Sequence, residues 1–346
     1  MELIIVLRQC IVEENFKFKM KVIICIFAVV AVIEARSEAV SWENFKTTFS
    51  KSYRNTVEDK QRYNIFLSNM LKIQEHNKKF ENGQTSYRMG INKFTDLTPE
   101  EFMEKMTISK YPMPKFVTKK VEIDFDGDLP AEMNWKKKGV VTKVIDQLSC
   151  GACWAFSATG AVESQLAIKT GRLNFLSVQQ LVDCAEEDCH GCYGGYNNKA
   201  LEYLIQAGGM MLAKDYRYKA SEGICRFNKS LVAVQLDSYV AVEENDESAL
   251  KTAVATIGPV SVLIFASDNL QTYESGIFYE NTCKKEFADL NHAVLVVGYG
   301  SENGTDYWLV KNSWGDSWGM DGYLKMSRNK DNQCGIATAA VYPILK

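Results

Sequence analysis

Two cysteines stand three positions apart in the segment Gln147–Phe156, which reads Gln-Leu-Ser-Cys-Gly-Ala-Cys-Trp-Ala-Phe. This spacing admits a redox pair, half of a metal site, or a bridged cysteine beside a reactive thiol. A redox C-x-x-C motif lies in a βαβ pattern, and none surrounds Cys150 and Cys153. A zinc site would have to use irregularly spaced ligands. Its candidate ligands are Cys184, Cys189, His190 and Cys192. The third interpretation makes Cys153 alone a nucleophile.

Cys153 stands at the start of a predicted helix that Gly171 ends. The apolar face of this helix consists of Trp154, Ala158, Val162 and Leu166. Unpaired N–H groups and the positive dipole end at a helix N-terminus stabilise a thiolate. We therefore expect a lowered pKa for the Cys153 thiol.

A thiolate nucleophile needs a proton-transfer partner, and the chain has 3 histidines. His76 lies on a polar helix, where we expect it to be solvated, and His190 lies between two cysteines in a glycine-rich loop. His292 opens the apolar strand Ala293–Val297. A histidine at a strand end is more often structural, but the scarcity of histidines makes His292 the candidate partner of Cys153.

Two amide side chains complete a possible acyl-transfer site. Asn312 can accept a hydrogen bond from the imidazole and fix its tautomer, with Trp308 and Trp314 shielding that bond from water. Gln147 can donate to a developing oxyanion beside the backbone N–H of Cys153. Thiol, imidazole, amide and oxyanion donor together predict acyl transfer.

The length and charge of the chain limit its possible architecture and partners. A chain of 346 residues that is 46% hydrophobic can bury more than one core. Its 40 basic and 43 acidic residues are interspersed and give a net charge of −3, so we expect no nucleic-acid partner.

The N-terminus carries a compartment signal. Lys19 and Lys21 flank Met20 before an apolar run at 22–33, and small residues follow, which predicts a signal peptide over 20–39. That run would be about 18 Å long as a helix, too short to span a bilayer, so no membrane span is expected. Residues 1–19 form an N-terminal extension of uncertain origin. Export implies an oxidising environment, in which cysteines are first interpreted as bridges.

The part of the chain after the signal divides into two regions. Apart from Cys10 and Cys25, every cysteine lies after residue 149. The preceding region is charge-rich, with an amphipathic helix over Val57–Phe80, a strand-like alternation over Tyr87–Phe94, and a helix that begins with Thr98 as N-cap and proline at the next position. A linker is predicted over 111–128.

The second region begins with helices and ends with strands. The predicted strands are Val260–Ile264, Ala293–Val297 and Tyr307–Val310. This order predicts an α+β protein with a helical lobe and a β lobe.

These residues resemble the papain family of cysteine peptidases, of the cathepsin L kind. In the second region, the nucleophile motif lies within Gln147–Phe156, the histidine strand begins at Asn291, the asparagine motif is Lys311–Gly315, and the substrate-binding glycine segment is Gly191–Gly195. Upstream, the family's ERFNIN helix is matched by Glu58, Arg62, Phe66, Asn69, Ile73 and Asn77, and its G-x-N-x-F-x-D segment by Gly90, Asn92, Phe94 and Asp96.

The resemblance implies a papain-like two-lobe fold with the active-site cleft between the lobes, and it assigns site residues. Catalytic roles fall on Cys153, His292 and Asn312, with Gln147 at the oxyanion. Substrate contacts fall on Gly151, Gly194, Gly195, Tyr196, Leu263, Leu290, Ala293, Trp314 and Ala339. The pocket for the side chain two residues before the scissile bond has apolar walls and Ala339 at its floor, with Asn197 at its rim. An apolar side chain is therefore expected there.

The resemblance also implies the disulfides Cys150–Cys192, Cys184–Cys225 and Cys283–Cys334, which leave Cys189 unpaired. Two other departures from the family pattern are Leu148, where glycine is usual, and Ala152, where serine is usual; neither removes a catalytic group. Asn228 and Asn303 are glycosylation acceptors.

A zymogen is implied, with an inhibitory propeptide at 42–122 running backwards through the cleft until acid loosens it, and a peptidase domain at 127–346. The expected activity is that of a cysteine endopeptidase that acts on proteins and peptides without a cofactor. Cystatin-type inhibitors are expected partners, and the expected form is a monomer in the lysosome or outside the cell. The alternative is a catalytically silent papain-like binding or inhibitory protein.

Overall fold

The computed structural model describes residues 42–108 and 127–346. The predicted signal peptide and residues 111–126 of the predicted linker lie outside the described residues. The described residues divide into two compact units, the first ending at Phe66 and the second beginning at Leu67.

The described part of the first unit is built on aromatic packing. A helical segment, α1, covers 42–48, and α2 (Thr56–Glu81) begins where Asn55 Oδ1 accepts from the backbone N–H groups of Val57 and Glu58. The Trp42 ring lies 5.2 Å from that of Phe66. Helix α2 confirms the helix predicted over 57–80.

The second unit begins with the remainder of α2, a short strand β1 (Tyr87–Met89) and α3 (Pro99–Met106). Thr98 and Glu101 form a capping box at the start of α3, with proline at its first position, as predicted. The strand predicted over 87–94 was too long, because Asn92 starts a turn: its Oδ1 accepts from Phe94 N–H.

The asparagines of α2 hold the segment that follows it. Asn69 Nδ2 donates to the carbonyl oxygens of Thr95 and Leu97, and Asn77 exchanges two hydrogen bonds with the backbone of Met89. Side-chain amides bonded to backbone in this way, with Asn69 buried and Asn77 partly buried, specify one path for the chain.

His76 was wrongly expected to be solvated. It is half-buried, its ring lies 4.3 Å from that of Tyr87, and its Nε2 donates to the Tyr87 carbonyl oxygen at 2.9 Å. Loss of solvation on burial lowers the pKa of this imidazole, with a further contribution from nearby Lys79 and Lys72.

The helical lobe contains α4 (Cys153–Thr170), α5 (Val178–Cys184) and α6 (Asn197–Ala207). Helix α4 ends at Gly171, whose φ of 71° is left-handed, as the sequence predicts. It is buried on most of its surface, and a Cβ at Gly160 would lie 2.9 Å from the Leu295 side chain. The glycine therefore allows α4 to pack closely against the strand that carries Leu295.

The strands of the second unit are β2 (Met133–Asn134), β3 (Met210–Met211), β4 (Val232–Val234), β5 (Leu236–Ala241), β6 (Val260–Ile264), β7 (Tyr273–Phe278), β8 (His292–Glu302), β9 (Thr305–Lys311), β10 (Tyr323–Ser327) and β11 (Ala340–Leu345). A further helix, α7 (Glu247–Thr256), lies between β5 and β6. Among the described residues, the main sheet has the order β1-β7-β10-β9-β8-β6-β11-β5, with β2 paired to β8, and β3 pairs with β4 separately. The helical and sheet elements confirm the predicted α+β class.

Strands β8 and β9 form a hairpin that brings two predicted site residues together. Its turn is Asn303-Gly304, with φ of 51° and 77°, the left-handed pair that tight hairpins favour. His292 begins β8 and Asn312 follows the last residue of β9. No helix in the described parts of the chain is long and apolar enough to cross a membrane.

Candidate active site

Cys153 is the first residue of α4 and is fully buried. Burial raises the pKa of its thiol to about 12, although backbone hydrogen bonds with Ala293, Trp154 and Cys153 itself oppose this change. The prediction that the helix N-terminus lowers the pKa of this thiol is therefore wrong while Cys153 is buried. The contact with Ala293 places the sulfur beside the first residues of β8.

His292 forms a hydrogen bond with Asn312. Its Nε2 lies 2.8 Å from Asn312 Oδ1, and its ring stacks on Trp314 with centroids 4.6 Å apart. Asn312 Oδ1 also accepts from the backbone N–H of Ser313 at 2.8 Å, so this atom is an acceptor and Nε2 must carry the proton. Nδ1 is buried and has no hydrogen-bond partner in the described structure.

Burial also determines the charge of this histidine. Loss of solvation lowers the pKa of His292 to about 4, although the hydrogen bond with Asn312 opposes the change. At neutral pH the imidazole is therefore uncharged, with a lone pair on Nδ1 that can accept a proton.

Gln147 is buried and held at both ends of its amide. Its Oε1 accepts from Ser313 Oγ at 2.6 Å, and its backbone N–H donates to the Ser313 carbonyl oxygen at 2.8 Å. Its Nε2 donates to the carbonyl oxygens of Cys150 at 3.0 Å and Met106 at 3.4 Å. Ser313 thus aims the amide donor, a role that our sequence analysis missed although the residue stands between Asn312 and Trp314.

The predicted pocket residues lie in one buried apolar cluster. Leu263 on β6 is paired with Ala293 on β8, and Leu263 N–H donates to the Ala339 carbonyl oxygen at 3.1 Å. Tyr196 and Leu290 are buried in the same cluster. Cys153 belongs to it as well, so the thiol adjoins this apolar region.

Asn197 does not lie at the rim of this pocket, contrary to the prediction. It is fully buried, its Nδ2 donates to the carbonyl oxygen and hydroxyl of Ser261, and its Oδ1 accepts from Asn198 N–H. Both ends of the amide are occupied, so it cannot serve a polar substrate side chain.

The predicted glycine contacts lie where a side chain would not fit. A Cβ at Gly151 would lie 2.6 Å from the Cys192 carbonyl oxygen, and one at Gly195 would lie 2.7 Å from the Trp154 ring. Gly194 has a φ of 125°, and a Cβ there would lie 2.5 Å from the side chain of Ile108. At Gly194 the missing side chain leaves room for Ile108, whereas at Gly151 and Gly195 it allows close packing within the second region itself.

Residues of the first region lie against the site residues of the second region. Met106 presents its carbonyl oxygen to Gln147, and Ile108 is buried in the pocket cluster, with its N–H donating to the Asn291 carbonyl oxygen at 2.7 Å. Further along, the rings of Phe94 and Phe102 pack against Trp314 at 6.0 and 5.1 Å. Phe94 belongs to the motif that the sequence displays, whereas no motif indicated the contacts of Phe102, Met106 and Ile108.

Three disulfides join Cys150 to Cys192, Cys184 to Cys225 and Cys283 to Cys334, the pairs that the resemblance implied. Among the described cysteines, Cys153 and Cys189 have no disulfide. Burial raises the pKa of the Cys189 thiol to about 12.

Both predicted glycan acceptors are exposed. Asn303 lies in the β8–β9 turn, and Asn228 lies before a short 3-10 turn, where its Oδ1 accepts from Ser230 N–H at 3.0 Å.

Within the described ranges, no group of three or more His, Cys, Asp or Glu side chains could hold a metal ion.

Comparison with known proteins agrees with this architecture. Residues 129–344 match the papain family of cysteine proteases, and residues 42–102 match the cathepsin propeptide inhibitor domain (I29). The chain is 47% identical to digestive cysteine proteinase 1 of Homarus americanus over 88% of this chain and 94% of that protein. It is 44% identical to a cathepsin L-like peptidase of Aedes aegypti, over 94% of this chain and 100% of that one.

A solved structure gives the same result in three dimensions. Digestive procathepsin L2 proteinase from the larval midgut of Tenebrio molitor superposes with a TM-score of 0.84 at 43% identity, over 89% of this chain and 100% of that one. The chain therefore belongs to the papain family of cysteine proteases. It is a cathepsin L-like cysteine endopeptidase that carries its own propeptide inhibitor domain.

Proposed function

We propose that this protein hydrolyses peptide bonds through a thioester formed on Cys153. The orientation of His292 carries the proposal: Nε2 is bonded to Asn312, Nδ1 has no described partner, and the next residue, Ala293, contacts the Cys153 thiol through its backbone. His292 Nδ1 takes the thiol proton, and the sulfur attacks the substrate carbonyl carbon. The carbonyl oxygen becomes an oxyanion that accepts from Gln147 Nε2 and Cys153 N–H.

The rest of the cycle follows from the proton on His292. The imidazolium gives its proton to the leaving amine as the carbon–nitrogen bond breaks, which leaves an acyl-enzyme. The neutral imidazole then takes a proton from water, whose oxygen attacks the thioester, and the proton returns to the sulfur as the acid product departs. Asn312 orients the imidazole throughout.

The covered form of the protein is unsuited to this chemistry. With the thiol pKa at about 12 and the imidazole pKa at about 4, the proton stays on sulfur. Both shifts arise mainly from burial, so removal of the covering segment and entry of water would bring the two pKa values closer together.

The covering segment supports autoinhibition by a reversed chain. From N- to C-terminus it passes Trp314, then Gln147, then the apolar pocket, through Phe102, Met106 and Ile108. A substrate with its acyl side in that pocket and its leaving group at Trp314 runs the other way. A reversed peptide presents its carbonyl with the leaving nitrogen on the wrong side, so it blocks the site without being cleaved.

The domain limits that we propose are an inhibitory propeptide at 42–122 and a peptidase at 127–346, with the mature chain beginning between 127 and 130. The signal at 20–39 would direct the protein to the secretory pathway, and relatives described as digestive favour release outside the cell over retention in the lysosome. Cystatin-type inhibitors and a monomeric state belong to the same proposal.

The apolar cluster around Ala339 supports a preference for an apolar side chain two residues before the scissile bond. Burial of a leucine there would contribute about 1.5–3 kcal/mol, enough for roughly tenfold selectivity. Ala339 cannot pair a charge, so arginine should be a poor residue in that pocket. Ile108, an apolar side chain of the propeptide, already lies in the same cluster.

The test is a series of dipeptidyl substrates with arginine next to the bond and Leu, Phe, Val or Arg before it. We expect leucine to exceed arginine by about tenfold in kcat/KM. Ala339→Glu should make arginine a good substrate, whereas Ala339→Gln, which adds similar volume without charge, should not. Equal cleavage of the leucine and arginine substrates by the unmodified enzyme would contradict the pocket assignment.

A further inference from the structure

Asp146 lies beside the oxyanion glutamine on the Trp314 side of the site. It forms an isolated antiparallel bridge with Trp314, and its side chain is 29% exposed. Its Oδ1 accepts from Leu148 N–H at 2.9 Å, which fixes the direction of the carboxylate. A carboxylate in a defined orientation can recognise a cation by charge-assisted hydrogen bonding.

In the zymogen this carboxylate is already paired. Lys93 of the propeptide segment binds Asp146 Oδ2 through its ammonium group, and only 19% of the lysine side chain is exposed. The next residue, Phe94, packs its ring against Trp314 at 6.0 Å. The propeptide thus presents a basic side chain and an aromatic side chain to the region that a leaving group would occupy.

The surroundings form a small binding site for that ammonium group. Gly315 lines it: a Cβ there would lie in van der Waals contact, at 3.4 Å, with both Asp146 Oδ2 and Lys93 Nζ, and its φ of 77° is one that favours glycine. Trp314 forms an apolar wall next to it. Removal of the propeptide would leave the carboxylate, the wall and Gly315 together.

We propose that Asp146 is a specificity residue of the mature peptidase that selects a lysine or arginine side chain on the leaving-group side of the scissile bond. This inference rests on the proposed function and extends it to the half of the substrate that lies beyond the bond. The basic side chain takes the position of the Lys93 ammonium group. Because the carboxylate is partly buried, its charge is less screened than that of a fully exposed residue.

Two other ion pairs between the propeptide segment and the peptidase provide a contrast. Lys72 pairs with Asp268 at 3.1 Å, and Arg88 pairs with Glu274 at 2.8 Å. Glu274 lies on β7, where β1 joins the sheet, and contacts none of the candidate catalytic residues. It is therefore a matched control, since it also binds a propeptide cation but lies outside the proposed subsite.

The experiment uses mature enzyme and fluorescence-quenched peptides with leucine and arginine before the bond. Lysine, glutamine or glutamate is placed in turn at each of the first three positions after it. At one of these positions we expect kcat/KM for lysine to exceed that for glutamine by about 3- to 10-fold, with glutamate the poorest. Asp146→Asn, which keeps the acceptor for Leu148 N–H, should bring the lysine-to-glutamine ratio close to one, and Glu274→Gln should keep it.

A salt titration of the unmodified enzyme adds a measurement that does not depend on how a variant folds. The lysine-to-glutamine ratio should decline as sodium chloride is raised towards 1 M, where the screening length is about 3 Å. The proposal is overturned if kcat/KM is equal for the lysine and glutamine peptides at all three positions. It is also overturned if the lysine-to-glutamine ratio does not change with salt, or if Asp146→Asn leaves the ratio unchanged. Failure to hydrolyse any of the peptides would instead overturn the proposed function.

Discussion

His292 and Asn312 are joined through one ring nitrogen, Nε2 to Oδ1 at 2.8 Å, while the other ring nitrogen points to no described hydrogen-bond partner. The pair forms because β8 begins at His292 and β9 ends just before Asn312, and the two strands are hydrogen-bonded neighbours. The hairpin therefore fixes both the position of the imidazole and its tautomer.

Removal of the orienting amide should weaken activity without abolishing it. Asn312→Ala leaves Nε2 without its acceptor, so the imidazole can rotate or adopt the other tautomer. We expect kcat/KM to fall about 10- to 100-fold, as for partners that orient a ligating histidine through a hydrogen bond to its other ring nitrogen. His292→Ala removes the proposed base and should leave no measurable turnover of the same peptide substrate. Equal losses in the two variants would mean that Asn312 does more than orient.

Ser313 should matter through Gln147. Its hydroxyl holds Gln147 Oε1 at 2.6 Å, so Ser313→Ala should lower kcat by about 3- to 10-fold with little change in KM. Gln147→Ala should lower kcat about 100-fold because it removes the donor. In the double variant the serine change should add almost nothing, and additive losses would contradict this coupling.

Leu148 has a left-handed backbone, with a φ of 56°, and its side chain is largely exposed. A leucine in this conformation destabilises the folded state by about 1–2 kcal/mol. Glycine removes this strain, but it also gives the unfolded chain more conformational entropy, which offsets part of the gain. Leu148→Gly should therefore raise the free energy of unfolding by about 0.5–1 kcal/mol, measured by urea denaturation of the Cys153→Ala zymogen. Leu148→Ala keeps the Cβ and should give no such gain; stabilisation by alanine alone would point to removal of the exposed side chain instead.

His76 should make the β1 attachment sensitive to acid. Its pKa is lowered in the folded protein by burial, and by Lys79 and Lys72, against opposing effects of its bond to Tyr87 and of nearby Glu280. The unfolded segment therefore binds the proton more tightly, so the contribution of His76 to stability is present above the ordinary pKa of 6.5 and is lost as pH falls below it.

The neutral variant His76→Gln tests this effect, since glutamine can still donate to the Tyr87 carbonyl. The rate of amide hydrogen exchange in β1 is measured for the unmodified protein and for the variant at pH 7 and at pH 5. The ratio of the unmodified rate to the variant rate should be larger at pH 5. Comparison at each pH cancels the intrinsic change in exchange rate. A ratio of rates that is the same at both pH values would exclude a role for His76.

Local patterns were sufficient to predict much of the fold. The start of α4 near Cys153, its end at Gly171, the N-cap at Thr98 and the strand at Val260–Ile264 each depend on residues close in sequence. Such features are set by backbone preferences and side-chain periodicity, which a sequence displays directly.

The electrostatics of the site could not be predicted in the same way. The raised pKa of the Cys153 thiol depends on burial by distant segments, and the donor Gln147 meets Met106 from 41 residues away. A helix N-terminus favours a thiolate, but complete desolvation is the larger effect. Asn197 was misplaced for a related reason, since its partner Ser261 is 64 residues away.

We propose that Cys153 is the nucleophile and that the propeptide holds it as a neutral thiol. The most direct measurement is labelling with an epoxide thiol inhibitor, applied to the zymogen and to the mature enzyme and mapped by mass spectrometry. Burial raises the pKa of this thiol to about 12 and keeps it protonated at pH 7, so the zymogen should remain unlabelled. The mature enzyme should be labelled at Cys153, with Cys189 unmodified, and His292→Ala should suppress the reaction. Rapid labelling of the zymogen, or labelling of mature enzyme at Cys189 in place of Cys153, would contradict the account.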